Sequence, residues 1–567
     1  MRDFWRGAAA VAICIMAYCS RLSAQDEHML ALTGAEGIEE LDESVTEKYE
    51  ALARHPVKIN TASLTSLVSC GLFTAFQAAA LDDWRRSSGD ILSLTELGLI
   101  DGFNPALVSH LAPYIDLNSK AGIGRSSTGH RSTDEAVARL QRRRDEGSSA
   151  DSAWGFKYRH ISDNRGSICA AVRSSYGQKG MSPDTWSASG MIQGRGLIDR
   201  IIVGDFNARF GQGLAMWSGF SMSGAGTVDA FCKRATGISP TWSYGATSYR
   251  GAAAILSRGR WTASGMMALP GLRTRMEGGR ADVGFLPAAD ISWLGKSSQF
   301  SLTGYAHSAG EAKISADARL HVRSMDLYGE AALDAVTGAV AGIGGMVWTP
   351  GWQHSFAIMA RAYPASYSPG QAGSMRAGSK VTDENGITLG LRIPWLSLTS
   401  DFAVFPSRGG GQMKVVALSD IPLSGNLAIA PRITFRVKDR TSRTDLRADC
   451  RWTSGPWNVT IRSNWLRQRA WARLHYGECG YRSVRIGLWM RATTFRIDNW
   501  DDRIYVYERD APGSFNVPAY YGRGYAVSAV CSRKWGKGKL HLRASAVHYT
   551  SDKPARVELR CQYSIQL

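Results

Sequence analysis

Seven arginines recur at alternate positions in the C-terminal third of the chain: Arg432, Arg436, Arg447, Arg451, Arg462, Arg543 and Arg560. Each lies opposite an apolar row. A file of guanidiniums along one face is chemistry for anions, which it attracts while repelling cations. Groupings that would do covalent chemistry are missing. The chain has no H-E-x-x-H, Walker loop, C-x-x-C or G-x-S-x-G. Asp501 and Asp502 are adjacent, so on a strand they would face opposite ways and make a poor acid–base couple. His307, His354, His541 and His548 stand alone in sequence. An enzymatic reading, a barrel hydrolase of unknown type, needs a Ser–His pair assembled across strands. No catalytic residue, metal ligand or cofactor is assigned. Cys70, Cys169, Cys232, Cys450, Cys479, Cys531 and Cys561 are scattered and odd in number, and read as small hydrophobes.

The elements that carry the arginines have period two. In 444–455, Leu446, Ala448, Cys450 and Trp452 share one face, and Arg447, Asp449 and Arg451 the other. In 456–465, Trp457, Val459, Ile461 and Trp465 oppose Asn458, Thr460, Arg462 and Asn464. Residues 426–439, 539–549 and 555–567 repeat the pattern. Each segment has about ten residues, the length of a tilted strand crossing a bilayer. Trp452, Trp457, Trp465, Trp471, Trp489 and Trp535 gather near segment ends, as interface aromatics do. The pattern predicts a mainly β fold, an antiparallel transmembrane barrel of roughly 16–20 strands over 151–567, with 18 favoured. The competing expectation is a secreted soluble β-protein with one wet face. If the apolar face meets lipid, the seven arginines line the lumen, where they either favour anions or pair with luminal acids and fill the interior.

Two segments read as structured loops. Residues 209–224 are Gly-rich and are expected to fold inward as a loop or short plug. Residues 510–524 carry two prolines and paired tyrosines. Trp217, Phe220, Tyr520 and Tyr521 are their candidate ligand-contacting residues, or they pack the barrel mouth.

The N-terminus differs in kind. Arg2 and Arg6, the apolar run Ala8 to Cys19, and Leu22-Ser23-Ala24 before Gln25 predict a secretory signal over 1–24. Residues 26–118 then hold five basic residues against fifteen acids. The whole chain carries +18, so the body beyond residue 118 is strongly basic. Residues 25–56 form an acidic helical lead-in, with Ile38, Leu41, Val45, Tyr49 and Leu52 at helical spacing. In 57–118, short helices pair twice around Gly turns, and Asn60 or Thr61 is placed to cap the first. Residues 119–150 read as a polar linker, and Arg139, Arg142, Arg143 and Arg144 as a solvated charge run.

The residues Ile59-Asn60-Thr61-Ala62-Ser63, Trp84-Arg85-Arg86 with Gly89, Ser93-Leu94-Leu97, Gly102 and Leu111-Ala112-Pro113-Tyr114-Ile115 resemble a tandem helix-hairpin-helix domain of the competence DNA-receptor type. In that family the backbone of a Gly-hydrophobic-Gly turn contacts phosphate. Here the turns read Gly71-Leu72-Phe73 and Gly102-Phe103-Asn104, each without the second glycine, and the module is acidic. DNA is therefore disfavoured as a partner. With 201–224, 503–525 and the last strand, the chain resembles the exported helix-hairpin-helix barrel proteins of Bacteroidetes-type Gram-negative bacteria. The resemblance implies a barrel in outer-membrane lipid and a helical head in the periplasm. The expected role is non-enzymatic: a head that plugs the barrel or docks a periplasmic protein, with DNA uptake as the alternative.

Overall fold

The computed structural model describes residues 21–118, 132–162, 166–178, 181–241, 243–244, 247–272, 283–351, 353–550 and 553–567. The first twenty residues of the expected signal lie outside them. Helix α1, Arg21–Thr33, runs through the expected cleavage point.

Each of the next five helices starts on a side chain able to accept from a free N–H. Asp42 caps α2 (Glu43–Arg54), and Ser63 caps α3 (Leu64–Ser69). Thr74 and Gln77 close a capping box on α4 (Ala75–Ser87). Ser93 caps α5 (Leu94–Leu97), and Asn104, with Pro105 behind it, caps α6 (Pro105–Leu111). The cap on α3 is thus Ser63 rather than Asn60 or Thr61. Asn60 is buried and ties three segments instead. Its amide donates to the Ile91 and Leu117 carbonyls and accepts from the Ile91 N–H, each at 2.9 Å. A two-residue parallel pair, Val57–Lys58 with Ile115–Asp116, joins the ends of the module. Met29, Leu32, Leu41 and Tyr49 of the lead-in share one core with Leu67, Leu81, Leu111 and Tyr114, so lead-in and module fold together.

The rest is one closed barrel. Among the described residues, 24 antiparallel strands form the ring, and two short ones, Gly237–Pro240 and Ile421–Ser424, pair alongside it. This exceeds the expected 16–20. The turns are the reason: some strands are linked by two residues, as between Arg258 and Trp261 or Ser454 and Trp457. The first strand, Ser132–Asp145, pairs with the last, Arg556–Gln566, and closes the ring. The barrel therefore begins inside the segment expected as a linker. There Arg139 and Leu140 alternate as strand neighbours, and Leu140 points outward.

The exterior is apolar. Ile291, Leu302, Ile314, Phe356, Ile461 and Leu488 all stand outward and exposed. Trp261, Trp395, Trp457 and Trp535 mark the rim of short turns, and Trp471 the opposite rim of long loops. Trp489 departs from the expected girdle. It lies opposite Gly480 across the strand pair and fills the space a Cβ there would need. Its ring sits under Arg509, 3.9 Å away, inside the barrel. No described helix is long and apolar enough to cross a membrane.

Candidate functional site: contacts between the helical domain and the barrel lumen

The helical domain meets strands on every side of the ring, so it lies within it. Lys414 donates to Glu36 on the stretch between α1 and α2. Three residues on, Glu39 accepts from Arg462 at 2.7 Å and sits 3.4 Å from Arg447. Both arginines also hold Asp449 of the wall, Arg462 through two nitrogens at 2.5 and 3.0 Å. A quarter-turn of the ring away, Lys157 donates to both oxygens of Glu47 at 3.0 Å, and Arg139 lies 3.7 Å from Glu43. Arg54 reverses the sense and pairs with Glu135. On α3, Thr65 donates to Asp199 at 2.8 Å, and Ser69 accepts from Arg200 at 3.0 Å. At the short-turn rim, Asp83 of α4 lies 3.8 Å from Arg260 and 3.9 Å from Lys296. Phe76 stacks on His321 at 3.8 Å.

Charge sorts these carboxyls into two kinds. Burial opposes ionisation of Glu36 and Glu39. For Glu36 the neighbouring Lys414 and Arg432 outweigh it, and for Glu39 Arg447, Arg462 and Arg432 do, so both carboxyls titrate below the usual range. Glu40 is pushed up to about 7 by burial and by the charge of Glu36. Burial also lifts Glu50 to about 7. Lys48 falls to about 8 through burial and the nearby Arg209.

Of the two turns that carry the hairpin resemblance, the first is enclosed and the second is half-buried. Leu72 and Phe73 are buried, and Phe103 nearly so. Gly71 and Gly102 take positive φ, 68° and 83°, as helix-ending glycines do. A Cβ on Gly71 would meet Lys48 Nζ at 2.4 Å and Thr236 of the barrel at 2.9 Å. The Leu72 carbonyl accepts from Arg234 at 3.3 Å, and the Gly102 carbonyl from Gln77 at 2.8 Å. Asn104 spends its side chain on the α6 cap. The Gly71 N–H donates to the Val68 carbonyl and the Phe103 N–H to the Ile100 carbonyl, so one amide of each turn is spent within the domain.

Of the seven arginines, Arg432, Arg447, Arg462, Arg543 and Arg560 face inward, and all five have acidic neighbours. Arg432 lies 3.9 Å from Asp445. Arg543 holds Glu508 and Glu558, and Arg560 holds Asp510 and Glu558. The other two sit near the rims. Arg436 is exposed close to the long-loop end of its strand, and Arg451 pairs with Asp420 beside a short turn. The row of guanidiniums therefore does not stand as bare positive charge along an open lumen.

Inward loops fill space beside the helices. In 210–236, Glu330 of the wall accepts from the backbone N–H groups of Gln212 at 2.6 Å, Leu214 at 3.1 Å and Ala215 at 3.3 Å. Trp217 lies under Lys233, 4.4 Å away, and Phe220 packs against the core of the helical domain. In 498–521, Tyr520 is buried and donates to Glu508, while Tyr521 meets Trp500 edge-on at 4.7 Å. Asp501 and Asp502 lie in a one-turn helix rather than a strand, and Asp502 holds the backbone of 468–470. No disulfide joins the cysteines.

Sequence reasoning missed Lys157, Lys414 and Glu135 as contact residues. Their signal was alternation alone: Lys414 between Met413 and Val415, Glu135 one place before the apolar pair Ala136-Val137.

No family model matches the chain, and no curated protein does. Solved barrels do. The translocation pore of the P pilus usher PapC is 7% identical over 76% of this chain and 99% of its own, with a TM-score of 0.38. OpdQ of Pseudomonas aeruginosa is 8% identical over 77% and 98%, with a TM-score of 0.29. The porin KdgM, solved with disordered oligogalacturonate, is 12% identical over 32% and 91%, with a TM-score of 0.18.

Proposed function

We propose that the protein is a non-enzymatic outer-membrane channel held shut by its own N-terminal helical domain. The apolar exterior, the tryptophans at the rims and the closed ring support the membrane setting. Short turns on one rim and long loops on the other support an orientation with the short-turn rim, and both ends of the ring, toward the periplasm. The carrying observation is the ring of acid–base contacts. Glu36, Glu39, Glu43 and Glu47 reach cations on well-separated strands, so the domain is held like a stopper.

Opposite net charges on domain and wall make the seat favourable. Unseating would bare Lys157 and Lys414 toward the lumen and leave Arg447 and Arg462 sharing Asp449 alone, and an open pore would then favour anions. A periplasmic protein that engages the domain at the short-turn rim is the natural agent of opening.

Planar-bilayer recording tests the reading. The full chain is expected to stay closed, and a chain lacking 25–118 to give large, anion-selective steps. A full chain that conducts steadily, or a deleted chain selective for cations, counts against it.

A further inference from the structure

Between α2 and the barrel wall lies a cavity of about 570 Å³ that reaches the short-turn rim. Its volume is in the range of pockets for small molecules. The mouth is built from adjacent strands. Lys534 is the second-last residue of one, Lys537 sits in the turn that follows, Lys539 is the second residue of the next, and Arg485 stands in the neighbouring turn. None of these four forms an ion pair with a carboxylate among the described residues, whereas the acids of the lining are engaged. Glu47 pairs with Lys157, Glu135 with Arg54 and Arg159, Asp510 with Arg560, and Glu50 accepts from the Gly513 N–H at 2.6 Å. The surplus charge of the cavity is therefore positive and sits at its entrance.

Further in, His541 is 6% exposed, and its Nε2 has no hydrogen-bond partner among the described residues. A buried polar nitrogen left this way is costly unless something fills the space in front of it. On the wall, Arg447, Arg462, Arg491, Arg543 and Arg560 are paired with acids. This group of cations is not, and it borders a hollow rather than packed side chains.

We propose that this cavity binds a small multivalent anion, carrying two or more carboxylate or phosphate groups. The four mouth cations attract and hold the charged groups, and His541 donates or accepts a hydrogen bond at the inner end. The cavity exists only while the helical domain is seated, so the site depends on the closed-channel reading. A ligand there would touch both α2 and the wall, and so would hold the domain in place. The same chemistry is offered by a free solute or by a phosphorylated lipid headgroup at the rim.

Isothermal titration calorimetry on the full chain in nanodiscs tests this, with tripolyphosphate and citrate as probes. A single saturable site is expected, with acetate at least tenfold weaker. Lys534→Gln combined with Lys539→Gln should weaken tripolyphosphate tenfold or more, and His541→Phe should weaken it severalfold. Arg523→Gln, which removes a cation paired with Asp498 at the opposite rim, should change nothing. Binding that persists in phosphatidylglycerol discs as in phosphatidylcholine discs assigns a soluble anion, and loss in the former assigns a headgroup. Absence of saturable heat, or equal loss with Arg523→Gln, overturns the site. A closed barrel without heat tells against the site alone. Steady conductance of the wild type tells against the seated domain.

Discussion

Glu39 accepts a 2.7 Å hydrogen bond from Arg462, a residue 423 positions further along the chain. The two meet because a stretch before α2 lies in the middle of a ring that closes only when the last strand is in place. Folding of the helical domain and closure of the barrel are therefore linked by charge.

Removing the carboxyl isolates that link. In Glu39→Ala, Arg462 and Arg447 keep Asp449, so the wall stays satisfied. The domain loses its contacts with both arginines, of which the shorter, from Arg462, is worth about 1.5–3 kcal/mol as a charged hydrogen bond. Brief openings in planar bilayers and faster amide exchange in α2 are expected, with the heat resistance of the barrel unchanged. Loss of barrel assembly instead would show that Glu39 serves folding rather than the seat.

The domain's carboxyls give the seat a pH dependence of definite sign. Glu36 and Glu39 titrate low when seated, so their contribution is complete above about 4.5 and fades as pH falls through their lowered values. Glu40 and Glu50 are raised to about 7. Their released forms ionise near 4.5 while the seated forms resist, so stability is lost as pH climbs from 4.5 to 7. The domain should seat most firmly near pH 5 and loosen toward 7.5, which the proposed channel would show as a rise in open probability. Glu40→Gln with Glu50→Gln should flatten that rise in open probability. A double variant that leaves the rise intact would exclude these groups.

The barrel wall was legible because its alternation has no exceptions where it counts. Ile433 points out while Arg432 and Thr434 turn inward, and Ile461 points out beside Arg462. Strand number was not legible, since two-residue turns leave no gap in a period-two pattern. The first strand was hidden because the arginines of 139–144 resemble a solvated run, although Leu140 marks its outer face. The seat was hidden for another reason. Glu36, Glu39, Glu43 and Glu47 announce an acidic helical face, but their partners are brought to them only by closure of the ring. Trp489 misled because an aromatic near a strand end serves equally to cover a glycine across the sheet.

Glu330 is expected to govern the inward loop 210–236. Its carboxylate satisfies three buried N–H groups, and Glu330→Leu leaves them without acceptors. The cost is about 1–3 kcal/mol for each group left unsatisfied. Thermal unfolding should fall, and protease should cut within 210–236 while sparing the barrel. Unchanged cleavage would show that the apolar packing of Leu214 and Phe231 suffices to hold the loop.

The enclosed first hairpin turn sets the last expectation. Gly71→Ala places a side chain at φ 68°, a left-handed conformation costing roughly 1–2 kcal/mol for an ordinary residue. It also crowds Lys48 and Thr236, so the variant should loosen the domain without touching any exposed surface. DNA binding through these turns needs backbone N–H groups that face outward, and an acidic domain lowers the affinity further. The full chain in nanodiscs is accordingly expected to leave labelled duplex unshifted at 50 mM salt, and Gly71→Ala to behave the same. Micromolar retardation that weakens with added salt, and that Gly71→Ala abolishes, would show that the turns leave the lumen and that the hairpins grip nucleic acid after all.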